Sequence, residues 1–295
     1  MLVPLKNIVV FLNGNRGIDV LKSLIKNGKP IVAVVGPDKS EIWNLFQNDD
    51  LLKGCHLVRQ RSVNDEKFLS VLQKFEPELF IVAGFSEIFG EKLLDLPKFG
   101  TLNLHGGPLP KYRGGSPLNW QMINDEPDIT ISIIQMDKGI DTGDVVGEKT
   151  FSYSDEETIV DIHRKANKHF SLLTLEVLEA LENDNLQKRE QDEQQASYWM
   201  QRKPHDGLIN WYVMSSREVF NLVRALAPPY PNAFTVLDGR PIHISEVQEV
   251  DLDIIGTPGR VLFLRGKGPY VMCKDKCILI KNASEKISHG VFLGS

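Results

Sequence analysis

Residues 7–35 read NIVVFLNGNRGIDVLKSLIKNGKPIVAVV, and this stretch decides the fold. The run 7–12 is a short apolar one, unbroken from Ile8 to Leu12 and too short for a helix. It stops at a polar turn, Asn13-Gly14-Asn15-Arg16-Gly17. Apolar residues then recur at Ile18, Leu21, Leu24 and Ile25, the spacing of one helix face. Residues 30–35 form a second unbroken apolar run. Apolar strand, amphipathic helix, apolar strand is the order of a parallel sheet covered by helices, whose strands are buried on both faces. The glycine spacing of the turn is not G-x-G-x-x-G, so the turn reads equally as a tight bend or as a ligand-facing loop.

The same pattern continues outward. A helix is expected over 65–75, a buried strand over 79–84, a helix over 89–96 and a strand over 100–105. The order β-α-β-α-β-α-β predicts an α/β fold with a doubly wound, mostly parallel, Rossmann-like sheet. Such sheets bind ligands beyond the carboxyl ends of their strands. Residues 106–117 hold four glycines and three prolines and predict a loop of defined shape. Beyond it come a helix over 116–124, a strand over 129–135, a turn over 139–144, a strand over 145–151 and a long helix from Glu156 to Leu181. A polar connector over 183–204 follows. The expected domains are 1–204 and a smaller C-terminal one over 205–295. The latter has a helix at 214–226 and short strands at 233–237, 241–247, 260–264, 269–272 and 276–280, which suggest a small OB-like β-barrel.

Composition narrows the function. The formal charge is −5, without the strong basic excess of a dedicated nucleic-acid binder. No run of about 18 apolar residues is present, so no membrane span is expected. The first residues, Met1 to Lys6, lack the basic start and cleavage site of a signal peptide, which predicts a cytoplasmic protein. Cys55, Cys273 and Cys277 are odd in number, lack metal-ligand spacing and are expected to be reduced packing residues. The histidines at 163, 169, 205, 243 and 289 are scattered, so no metal site is expected.

Chemistry is concentrated after the strand at 100–105. Asn103 and His105 stand at i and i+2, which in a strand points both side chains to one side, at the end where the sheet opens its crevice. The loop His105-Gly-Gly-Pro-Leu-Pro-Lys-Tyr-Arg-Gly-Gly-Ser-Pro117 can approach a ligand closely through glycines that lack Cβ. A second glycine-flanked turn, Lys138-Gly-Ile-Asp-Thr-Gly-Asp144, offers Asp141 and Asp144 as carboxylates, and residue types alone leave both open. Lys111, Tyr112 and Arg113 can meet an anionic acceptor or form a solvated loop. Trp211 and Tyr230 can stack on a base or sugar, or belong to a core.

These residues resemble the folate-dependent formyltransferase family. The resemblance is carried by Asn103-Leu-His-Gly-Gly-Pro-Leu-Pro-Lys-Tyr-Arg-Gly114, Pro117-Leu-Asn-Trp120 and Asp137-Lys-Gly-Ile-Asp-Thr-Gly-Asp144. Pro204-His-Asp-Gly-Leu-Ile-Asn-Trp211 and Arg224-Ala-Leu-Ala-Pro-Pro-Tyr-Pro231 extend it to about residue 235. It implies Asn103, His105 and Asp141 as the catalytic set, the family spacing choosing Asp141 over Asp144. It implies 10-formyltetrahydrofolate as formyl donor, with donor contacts at Ser86, Glu87, Ile88, Phe89, Asp137 and Gly139. The expected acceptor is the amine of a nucleotide-linked amino sugar, with no nucleic-acid partner and a possible homodimer. The alternatives are methionyl-tRNA formyltransferase and formyltetrahydrofolate hydrolase. Relatives acting on tRNA carry a basic insertion after the second strand, whereas Gly36 to Asp50 holds one cation, Lys39, and ends acidic. The loop departs from one common family pattern at Gly107-Pro108, where relatives often have Ser-Leu.

Overall fold

The computed structural model describes residues 4–294; the reading of Met1–Val3 as part of the lead-in lies outside the described residues. In chain order the elements are β1 Ile8–Leu12, α1 Gly14–Lys26, β2 Ile31–Pro37, α2 Trp43–Asn48, β3 Leu57–Gln60, α3 Glu66–Gln73, β4 Leu79–Ala83, α4 Glu91–Leu94, β5 Thr101–His105, β6 Arg113–Gly114 and α5 Pro117–Ile123. Then come β7 Asp128–Gln135, β8 Val145–Ser152, α6 Ile159–Glu182, β9 Tyr198–Trp199, α7 Ser216–Ala225, β10 Ala233–Leu237, β11 Arg240–Glu249, β12 Val261–Leu264, β13 Lys267–Met272 and β14 Cys277–Ala283.

The chain forms two compact units. The first comprises residues 1–117, 130–151 and 163–199, and the second 118–129, 152–162 and 200–295. The expected boundary at 204/205 is one cut through the chain, whereas the units interleave. An ion-pair network explains the interleaving. Arg217 on α7 reaches Asp125 at 2.9 Å, Asp155 at 2.7 Å and Glu249 at 3.1 Å, so one guanidinium ties 118–129 and 152–162 into the second unit.

The first unit is built on a seven-stranded sheet of order β3-β2-β1-β4-β5-β7-β8. β1 pairs in parallel with β2 and β4, β2 with β3 and β4 with β5, while β7 runs antiparallel to β5. Every residue of β1 and β4 is buried, as unbroken apolar strands require when both faces are covered. α1 buries Ile18, Leu21 and Leu24 together with Gly17 and Val20. Asn13–Gly17 is therefore no loop: the helix begins at Gly14. Gly17 is where it touches the sheet, and a Cβ there would overlap the Leu12 side chain and lie 2.9 Å from the Ala83 carbonyl.

Sequence reasoning missed α2 and β3. β3 is four residues long, at the sheet edge and only partly buried, so it shows no apolar run. α2 is held by Trp43, whose indole donates to the Pro37 carbonyl at 2.7 Å. The helix expected over 89–96 shrinks to Glu91–Leu94, because Phe89 leaves helical register to pack 4.8 Å from Phe11.

The second unit holds a five-stranded antiparallel sheet of order β10-β11-β14-β13-β12. α7 starts with a capping box between Ser215 and Glu218, and its Val219, Leu222 and Val223 join Ile242, Ile244, Val271 and Ile278 in the core. Cys273 and Cys277 are buried, and all three cysteines are unpaired; burial pushes the Cys273 thiol up to about 12, so it packs as an inert apolar side chain. Among the described residues no helix is long and apolar enough to cross a membrane.

Candidate active site

Asn103 and His105 lie on the last three residues of β5, beside the carboxyl end of β4. β5 is fixed on both sides, Asn103 opposite Val82 and Ile134, and His105 opposite Ser132. Two-residue periodicity turns both side chains to one face, where Asp141 meets them from its turn. The Asp141 carboxylate lies 3.4 Å from His105 Nδ1 through Oδ2 and accepts from Asn103 Nδ2 at 3.3 Å through Oδ1. Its strongest contact is one the sequence did not reveal: the Gly114 backbone N–H donates to Oδ2 at 2.8 Å. Asp144, the rival carboxylate, uses its carbonyl to accept from Gln135 N at 2.9 Å.

His105 is 5% exposed. Its Nε2 lies 2.6 Å from the Tyr112 carbonyl; a carbonyl only accepts, so Nε2 carries the proton. In the neutral ring Nδ1 then holds the lone pair facing Asp141. The 3.4 Å contact is longer than a charge-assisted N–H···O bond and suits a ring that has not yet taken up a second proton. Burial pulls the imidazole below its ordinary range; Asp141 and the Tyr112 carbonyl oppose that pull, and Arg16 adds to it. Arg16 on α1 donates to the Leu104 carbonyl at 3.2 Å, holding the strand between Asn103 and His105.

The glycine-rich loop uses its glycines differently from the expectation. They admit the protein's own atoms. A Cβ on Gly107 would lie 2.6 Å from the Tyr112 Cβ and 3.2 Å from His105 Nε2. Ser132 Oγ donates to the Gly107 carbonyl at 2.8 Å. Gly114, at φ +96°, sits against the Trp199 carbonyl, where a Cβ would overlap it.

Several sequence-predicted contact residues are committed elsewhere. Arg113 is fully buried: Nε donates to Gln191 at 3.0 Å, and the terminal nitrogens donate to Glu193 at 2.6 and 2.9 Å and to Tyr198 at 2.8 Å. It is a buried brace and does not face an acceptor. Tyr112 is buried and stacks on Trp199, with rings 5.2 Å apart and 7° from parallel. Lys111 is exposed. Trp211 is 1% exposed and donates to Thr235 Oγ1 at 2.9 Å in the second unit's core, so it offers no stacking face; Tyr230 packs against the same core.

The segment after β4 is similarly divided. Glu87 accepts from Gln60 Nε2 at 2.8 Å and from Val63 N at 3.1 Å, and Phe89 is buried among Phe11 and Phe85. Ser86 and Ile88 are exposed. Asp137 accepts from Gly139 N at 3.0 Å and from Thr142 at 2.5 Å, which shapes the turn carrying Asp141. Gln191, in the stretch read as a mere connector, donates to the Asp141 and Gly143 carbonyls at 2.8 and 2.6 Å. Nothing in its sequence position signalled this, because the contact crosses 50 residues.

The arrangement provides an amide donor, a buried imidazole with one lone pair and a carboxylate aimed at it. It can stabilise an oxyanion and take up one proton.

A methionyl-tRNA formyltransferase of Syntrophus aciditrophicus is 30% identical over 269 residues, 89% of this chain and 86% of that protein. An N-formyltransferase from Helicobacter canadensis, solved with folinic acid and dTDP-3-aminofucose, superposes with a TM-score of 0.65 at 18% identity, covering 95% of this chain and 99% of that one. HypX from Aquifex aeolicus, in complex with tetrahydrofolic acid, superposes with a TM-score of 0.66 at 18% identity over 97% of this chain; the chain spans 45% of the length of HypX. Residues 6–178 match the family model described as formyl transferase, and residues 201–289 match the formyl transferase C-terminal domain. The chain belongs to the formyl transferase family.

Proposed function

We propose that this chain transfers the formyl group of 10-formyltetrahydrofolate to the amine of a nucleotide-linked amino sugar. The observation that carries the reaction is the convergence of Asn103, His105 and Asp141 at the end of β5. The acceptor amine attacks the formyl carbon, and the carbonyl oxygen becomes an oxyanion. Asn103 donates one N–H to Asp141, and its second N–H donates to that oxyanion. Such a preorganised donor is worth about 3–4 kcal/mol. The amine proton passes to His105 Nδ1, where the adjacent carboxylate stabilises the imidazolium that forms. Collapse of the intermediate breaks the bond to N10 of the folate, and the proton leaves with that nitrogen. In this reading the donor's ring system lies beside Ser86 and Ile88, both exposed, and the exposed Lys111 meets the acceptor's phosphates.

What supports a sugar acceptor is charge. Between Gly36 and Asp50 the chain carries Lys39 as its one cation, whereas a tRNA phosphate backbone calls for several. Residues 205–295 hold ten Lys and Arg against nine Asp and Glu, and Arg217 and Arg224 among them face Asp125 and Asp155. The Helicobacter canadensis enzyme was solved with dTDP-3-aminofucose. The second reading, formylation of methionyl-tRNA, is favoured by the 30% identity to a methionyl-tRNA formyltransferase over most of both chains. A mass-based assay with nucleotide-linked amino sugars, charged initiator tRNA and no acceptor distinguishes the readings. Formyl transfer to a sugar is expected; product on tRNA alone, or formate release without transfer, overturns the choice.

A pH prediction follows from the burial of His105. The base form of the ring is the competent one, and its affinity for protons is below the ordinary histidine value of 6.5. With acceptor amines whose own ionisation is accounted for, the acid limb of kcat/KM is expected to be centred below pH 6.5. An acid limb centred above 6.5 would contradict a His105 base.

A further inference from the structure

We infer that Gln191 is a positioning residue for the reaction: through its two donated hydrogen bonds it holds the Asp141 turn, and thereby the carboxylate, against His105. The inference rests on the reading of Asp141 as the partner of His105. It concerns a residue from a segment with no apparent link to the site in sequence.

Asp141 has φ +54°, a left-handed conformation that a non-glycine residue holds only when its surroundings enforce it. The Asp137 carboxylate shapes the turn from within, bonding Gly139 N and Thr142. From outside, the Gln191 amide NH₂ donates to the carbonyls of Asp141 at 2.8 Å and of Gly143 at 2.6 Å. Both carbonyls belong to the turn, so one planar group bridges it. Gln191 is 6% exposed, and its own orientation is fixed: Oε1 accepts from Arg113 Nε at 3.0 Å. Arg113 is in turn held by Glu193 and Tyr198. Gly114, next in chain to Arg113, gives its N–H to the Asp141 carboxylate. The backbone of Asp141 and its side chain are thus both referred to the 113–114 segment, the backbone through Gln191 and the carboxylate directly. β6 pairs with β9, which anchors that segment at the far side.

A brace of this kind has a consequence that a purely structural contact lacks. The carboxylate of Asp141 is the group that favours the protonated ring of His105; Arg16 disfavours it, and the Tyr112 carbonyl favours it at the other nitrogen. If the turn relaxes and the carboxylate retreats, the proton affinity of His105 falls. The probe is the free protein with ¹³C- and ¹⁵N-labelled histidine, the His105 signals assigned by their loss in His105→Gln. Gln191→Met, similar in volume and without hydrogen bonds, is compared with Asp141→Asn and with the double variant. Gln191→Met is expected to move the His105 titration in the same downward direction as Asp141→Asn and by less, and to move it no further in the Asp141→Asn background. Where the midpoint falls below the pH of unfolding, the Nδ1 shift at pH 7 is read in the same cycle. If Gln191→Met does not fold, Gln191→Glu keeps the acceptor for Arg113 and lacks both donors, and the cycle with Asp141→Asn subtracts its added charge. In formyl transfer, Gln191→Met is expected to lose kcat by up to about a hundredfold, the scale of a small misplacement of a reacting group, with KM for the donor changed less than about threefold. A His105 signal unmoved by Gln191→Met in folded protein, or an equal shift in the Asp141→Asn background, overturns the inference. The titration needs no substrate, so failure of the formyl-transfer reading would appear separately, as wild-type protein that transfers nothing while the titration cycle still holds.

Discussion

Asn103→Ala is expected to lower kcat for formyl transfer by about 10²–10³-fold while leaving KM for the donor near the wild-type value. The reason is where the amide acts. Its one hydrogen bond to Asp141 is long, at 3.3 Å, so the folded state gains little from it. The oxyanion exists only after the amine has attacked, so the amide's main contribution falls on the transition state, and removing it reduces kcat and kcat/KM together. The side chain is also only partly buried, and a small truncation there leaves no large cavity. Thermal unfolding should therefore change little. Steady-state kinetics beside a melting curve checks both halves. A kcat within about threefold of wild type would remove Asn103 from the chemistry.

Gly114→Ala is expected to destabilise the first unit by about 2–6 kcal/mol and to cut activity at least about tenfold. At φ +96° an alanine is strained, at a cost of about 1–3 kcal/mol. Its Cβ would also overlap the Trp199 carbonyl, which cannot give way without disturbing the bonds from Gly115 N to Trp199 O at 2.8 Å and from Arg113 N to Ser197 O at 3.0 Å; such overpacking costs about 1–3 kcal/mol more. The activity loss has a distinct origin. The Gly114 N–H is the shortest hydrogen bond to the Asp141 carboxylate, at 2.8 Å, and a shift of β6 carries it away. Denaturant unfolding measures the first effect and kinetics below the unfolding transition the second. An alanine variant as stable as wild type would show that the close approach at Trp199 is not required.

The reading of Asn103, His105 and Asp141 as one group and the placement of Gly114 and Gln191 around them have different sources. Asn103 and His105 were legible because the two-residue period of a strand places them on one side whatever the rest of the molecule does. Asp141 entered through the spacing of a family motif. β1, β2, β4 and β5 were legible because a strand buried on both faces must be apolar throughout. α2 and β3 were not, since an edge strand and a one-and-a-half-turn helix bury too little to leave a pattern.

Arg113 shows the limit most clearly. In sequence it is a cation in a glycine-rich loop, and charge alone suggests an anionic ligand. In the fold its partners are Gln191, Glu193 and Tyr198, roughly 80 residues away in the chain, and they convert it into a buried brace. Trp211 is a similar case, an aromatic near a junction that becomes core once Thr235 takes its indole N–H.

By itself the sequence determined β1, β2, β4 and β5 with the helices α1 and α3, the site's position at the end of β5 and the amide and imidazole there, because these follow from local periodicity and from residues adjacent in the chain. Only the tertiary structure decided what holds Asp141, why the loop needs its glycines and which cations and aromatics are already occupied. Most of those answers depend on contacts between segments tens of residues apart, such as Gln191 with Asp141 and Gly114 with Trp199, and burial then fixes which of the possible partners each polar group must take.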